Sequence, residues 1–118
     1  MHFAMWCLFG APLIIGCDLS KIDDTCLNLL KNKELISINQ DPECRPPMRV
    51  TFDDRTVFFK HLSNNEYILA IFNFTDKDRE FYQNFYDLGL PLNSGYGFSG
   101  YEIFTGEKPD LDRMSDVL

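Results

Sequence analysis

Two adjacent carboxylate pairs, Asp23-Asp24 and Asp53-Asp54, are the first residues that a search for acid and base chemistry meets. Carboxyl groups that act together on one bond face each other across a cleft, roughly 5–5.5 Å apart or further. Neighbours in sequence do not reach that arrangement, because on a strand they point to opposite faces and in a turn both face water. A helix cap is therefore expected for Asp23-Asp24 and a turn for Asp53-Asp54. Asp18 follows a short apolar run. If that run is a barrel strand, Asp18 stands on the face where barrel enzymes keep their active sites. The simpler role, a loop carboxylate that accepts backbone N–H groups, is preferred, and the sequence offers Asp18 no partner carboxylate.

Other reactive side chains give less. His2 and His61 are the only histidines. Neither has a Ser or Cys in a nucleophile setting, and no HExxH spacing occurs. Cys7, Cys17, Cys26 and Cys44 form no CxxC pair, which removes the usual zinc and thioredoxin-like patterns. Cys7 and Cys17 lie in apolar runs, so buried reduced thiols are expected rather than disulfides. Asn73-Phe74-Thr75 matches the glycosylation sequon but falls inside an expected strand, and is read as a chance match. Tyr96, Phe98 and Tyr101, among glycines, could stack on a sugar, although ordinary packing is favoured. No catalytic, substrate-binding or metal-ligating residue is assigned from these patterns, and no cofactor is called for.

The composition is that of a chain with a core: 45% hydrophobic and 14% aromatic residues in 118. A net charge of −7, with its eleven basic residues scattered, argues against nucleic acid and anionic membrane as partners. The apolar run Phe3 to Ile15 is broken by Pro12 and is shorter than the ~18 residues a spanning helix needs. No Lys or Arg precedes Lys21, so the positive region of a signal peptide is missing, and the cytoplasm is favoured over secretion.

The elements that must position these residues fall into two parts. Residues 1–45 read as helix, buried strand, helix. His2 to Ala11 is apolar on nearly every side, Leu13 to Cys17 has the run of a parallel strand covered on both faces, and a helix starts at Asp23 and continues through Glu34 to Asn39. Lys31 and Lys33 are placed near the first helical stretch's end, where they suit the dipole. Residues 46–118 switch to alternation. Arg49 to Phe52, Thr56 to Leu62 and Tyr67 to Phe74 read as antiparallel strands with turns at Asp53-Asp54-Arg55 and Ser63-Asn64-Asn65. Asp76 to Glu80 reads as solvated, and Tyr101 to Phe104 as one more strand.

Three stretches together resemble glycoside hydrolase family 27, the α-galactosidases. His2 to Leu19, through Ala11-Pro12-Leu13-Ile14-Ile15-Gly16-Cys17-Asp18-Leu19, resembles the end of that family's catalytic barrel. Leu29 to Pro42, ending Ile38-Asn39-Gln40-Asp41-Pro42, resembles its last barrel helix and exit. Tyr101 to Glu107, after Asp87-Leu88-Gly89-Leu90, is similar to its C-terminal antiparallel domain. The resemblance implies an α/β fragment, the last β/α unit of a TIM-type barrel, followed by an incomplete antiparallel β-sandwich. A complete barrel takes roughly 250 residues. It further implies retaining hydrolysis of terminal α-linked galactose by two aspartates outside this chain, with a galactoside and the rest of the barrel as partners. An N-acetylgalactosaminide or β-arabinopyranoside substrate, or a non-catalytic sugar-binding module, are the alternatives. The fragment alone is expected to be inactive, and its oligomeric state is not readable.

Overall fold

A computed structural model of the chain describes residues 1–51, 56–81, 83–90 and 97–108. They fall into two compact units, Met1–Phe72 and Asn73–Leu118.

The first unit contains three short helices and a three-stranded sheet. Helix α1 (His2–Leu8) buries Cys7 and Leu8 and leaves Trp6 and Phe9 about half exposed. Helix α2 (Asp24–Leu30) starts at Asp23, whose carboxylate accepts from the Cys26 amide at 2.8 Å. Cap donors left over at a helix start explain why an Asp sits there. Helix α3 (Lys33–Asn39) is a separate element, not a continuation. Asn32 breaks the chain and caps α3 by accepting from the amides of Glu34 and Leu35, both at 3.1 Å. Lys33 is therefore the first residue of α3, at the positive end of its dipole, and not near a helix end as the sequence suggested.

Leu13 to Cys17 is not a strand. The segment is irregular, with Ile14 81% and Ile15 57% exposed. All three described strands lie in one sheet elsewhere in the unit, so this run has no ladder to join. Composition made it look like a strand; hydrogen-bond partners are what it lacks.

Strands β1 (Met48–Arg49), β2 (Thr56–His61) and β3 (Tyr67–Phe72) form an antiparallel sheet in chain order. Thr56 pairs with Phe72 and His61 with Tyr67, as the alternating pattern predicts. The expected turn at Asp53-Asp54-Arg55 lies outside the described residues. The β2–β3 turn is a 3₁₀ turn at Ser63–Asn65, where Asn64 and Asn65 take φ of 62° and 57°. Asn tolerates that left-handed region better than most residues.

The sheet is covered on both sides. Phe58 meets Phe9 edge-on with ring centroids 5.2 Å apart, which lays the Thr56, Phe58, Lys60 face on α1. Val57 and Phe59, on the other face, are 0% and 2% exposed. There Phe59 stacks on its diagonal neighbour Tyr67 at 5.5 Å, and His61 meets both rings edge-on.

Lys60 is only 2% exposed. Leu8 O and Ile38 O lie at the C-terminal ends of α1 and α3, where the last carbonyls have no intrahelical donor, and Pro12 and Pro42 beyond them have no N–H to offer. Lys60 Nζ donates to Leu8 O at 2.8 Å and to Ile38 O at 3.5 Å, so one ammonium closes the ends of α1 and α3. The Asn39 side chain adds a tie, donating to Ala11 O at 2.8 Å.

The described residues of the second unit are mostly irregular. A 3₁₀ turn at Tyr86–Leu88 ends on Gly89 at φ 71°, with Leu90 N–H reaching back to Phe85 O. Tyr101 to Phe104, expected as a strand, is a turn instead. The Glu102 carboxylate accepts from the amides of Phe104 and Thr105 and from the Thr105 hydroxyl, and Gly106 N–H closes onto Glu102 O. These bonds occupy amides that a ladder would otherwise use.

Candidate functional site

Asp18 and Asp23, the described carboxylates that the sequence singled out first, each have local hydrogen-bond partners. Asp18 is exposed in the loop between α1 and α2. It accepts from the Ser20 amide at 3.0 Å and the Ser20 hydroxyl at 2.6 Å, with Lys21 Nζ at 3.7 Å. These partners, the Ser20 hydroxyl first, lower its carboxyl below the usual carboxylate value. A carboxylate held ionised in this way is a poor general acid, since a proton donor near neutral pH needs a raised pKa. Asp23 is lowered in the same direction by the Cys26 amide, as a cap should be. Asp24 sits in the first turn of α2. Asp53 and Asp54 lie outside the described residues.

His2 is the exposed first residue of α1, and His61 is held by Phe59 and Tyr67. Cys7 is a buried free thiol, raised above the ordinary value by desolvation. Cys17 is free but exposed, against the expectation of burial, because its run is not enclosed by neighbouring strands, and Cys26 and Cys44 are free and exposed as well. Among the described residues no cluster of three or more His, Cys, Asp or Glu is placed to hold a metal ion, and no described helix is long and apolar enough to cross a membrane. Phe98 packs on Phe85 at 5.2 Å, which takes it out of a sugar platform, while Tyr101 is 57% exposed. Tyr96 lies outside the described residues.

The polar residue that the motif search passed over is Asp41, read only as the end of a helical unit. It is 8% exposed and accepts from the Ser63 amide at 2.9 Å, the Ser63 hydroxyl at 2.7 Å and the Glu43 amide at 3.1 Å. Ser63 first, then Glu43 and the nearby Lys60 charge, lower its carboxyl. Asp41 thus fixes the exit of α3 to the β2–β3 turn. The signal in the sequence was the Asp-Pro that closes α3.

With that arrangement in view, comparison with known proteins is informative. A family model described as alpha galactosidase A (Melibiase_2) matches residues 1–41. The alpha-galactosidase of Coffea arabica is 35% identical over 91 residues, which is 76% of this chain and 24% of that protein. The alpha-N-acetylgalactosaminidase of Rattus norvegicus is 33% identical over 110 residues, 90% of this chain and 26% of that protein. The crystal structure of alpha-galactosidase I from Mortierella vinacea superposes with a TM-score of 0.79 at 26% identity, over 91% of this chain and 28% of that chain. These relatives are α-galactosidase-type glycosidases. The chain is similar to the melibiase family, glycoside hydrolase family 27, and spans about a quarter of the length of the relatives it matches.

Proposed function

We propose that residues 1–45 form the closing β/α part of a TIM-type barrel and residues 46–118 the adjoining C-terminal antiparallel domain of an enzyme that hydrolyses terminal α-linked galactose. In that enzyme one aspartate attacks the anomeric carbon and a second protonates the leaving oxygen, with retention of configuration. Both aspartates come from chain outside these 118 residues. The observation that carries this reading is the chemistry of Asp18, Asp23 and Asp41. Each is held by local amide and hydroxyl donors and lowered, so none is poised as a proton donor. The family likeness supplies the reaction type; the local bonding of these carboxylates supports placing the reaction elsewhere.

The exposed Ile14 and Ile15 fit this reading, since in a completed barrel the run from Leu13 would acquire strands to pair with. An N-acetylgalactosaminide substrate is the second reading, favoured by the 33% identity to the rat alpha-N-acetylgalactosaminidase. Assay of the purified 118-residue chain on p-nitrophenyl α-galactoside and on the N-acetylgalactosaminide tests the placement. Neither is hydrolysed above the buffer rate if the reading holds, and turnover abolished by Asp18→Asn would overturn it.

A further inference from the structure

Asn73-Phe74-Thr75 is the only Asn-X-Ser/Thr sequence with X other than Pro in the chain. Its expected place inside a strand was the reason to set it aside, because a ladder would hold the asparagine in a sheet. The structure ends β3 at Phe72 and puts Asn73 and Thr75 in an exposed turn. Within that turn Asn73 Oδ1 accepts from the Thr75 amide at 3.0 Å and the Thr75 hydroxyl at 2.6 Å. Asn73 Nδ2 donates to Lys77 O at 2.8 Å.

We propose that Asn73 is an N-glycan acceptor, used when the chain passes through a secretory lumen; this goes beyond the glycosidase reading and does not depend on it. The turn holds the amide oxygen of the asparagine on the hydroxyl two residues on, the pairing that makes the sequon more than a string match. An amide nitrogen carries two protons. In the transfer step Asn73 Nδ2 bonds to C1 of a lipid pyrophosphate-linked oligosaccharide, the C1–O bond to pyrophosphate breaks, and the lipid pyrophosphate leaves with that electron pair. One Nδ2 proton is lost. The other remains to donate to Lys77 O, so the turn keeps its closing bond after modification. A glycan there projects into water, and no buried group has to move.

The test is synthesis of the full chain behind a cleavable secretory leader in the presence of microsomes, with an independent sequon appended after Leu118 as an internal reference. Occupancy at each asparagine is read by mass spectrometry after peptide N-glycosidase treatment in heavy-oxygen water. The expected result is Asn73 converted to labelled Asp in the majority of reference-glycosylated chains, kept in Thr75→Ser and lost in Thr75→Ala and Asn73→Gln. Reference-glycosylated chains that carry an unmodified Asn73 would overturn the proposal. Occupancy is read on digested peptides, so a variant that fails to fold still reports.

Discussion

Lys60 Nζ lies 2.8 Å from the carbonyl oxygen of Leu8, 52 residues earlier in the chain, and that bond joins the C-terminal end of α1 to the middle strand of the sheet. The same ammonium reaches Ile38 O, so α1 and α3 both end on one buried charge. Burial lowers its pKa, while Asp41 nearby opposes the shift.

Lys60→Met keeps an unbranched apolar stem, one atom shorter, and removes the donor. Two buried carbonyls are then left without a partner, at about 1–3 kcal/mol in total. The urea midpoint of the first unit is expected to fall accordingly. Pro42→Ala in that background supplies an amide four residues after Ile38 and recovers part of the loss. An unchanged midpoint in Lys60→Met would show that the bonds are not stabilising.

Asp41→Asn removes the charge that holds Ser63 and faces Lys60. The folded carboxyl is lowered relative to the unfolded one, so its contribution is full above the ordinary value of 3.8 and is lost as the pH falls through the folded value. Wild type is therefore more stable than the variant at neutral pH, and the two urea midpoints converge below that value. A gap independent of pH would point to lost packing instead.

Asn32→Ala removes the cap between α2 and α3, which accepts from two amides. A loss of about 1 kcal/mol is expected, with Asn32→Asp close to wild type. Equilibrium unfolding followed by far-ultraviolet circular dichroism reads it.

Ile14→Ser with Ile15→Ser tests the exposed run. Neither side chain is enclosed in this chain, so stability should stay within about 0.5 kcal/mol. Self-association, followed by sedimentation, should decrease because the apolar patch shrinks. Loss of folding in the double variant would mean that the run is part of the core.

Much of this fold was legible because the deciding signals are local. Asp23 ahead of a helical face marks a cap, and apolar alternation interrupted by Ser63-Asn64-Asn65 marks a hairpin; both stand as read. The failures came where partners decide. Leu13 to Cys17 has strand composition but no neighbouring strand in the described sheet, and Glu102 folded its own segment into a turn. Asn32 was passed over because the helical pattern runs across it. Lys60 lies in an expected strand, and the two helix-end carbonyls it meets lie 52 and 22 positions earlier, so these bonds form only when the chain is folded. The structure gives Asp18 and Asp23 the loop and cap bonds that were preferred for them in the sequence.

The most direct measurement joins this chain to the part of the Coffea arabica relative that precedes the matched region and assays p-nitrophenyl α-galactoside by proton NMR. The joined protein should release α-galactose as the first-formed anomer, while the 118-residue chain alone releases none. Hydrolysis by the chain alone, or β-galactose as the first product of the joined protein, would contradict the assignment of this chain to the non-catalytic closing part of a retaining galactosidase.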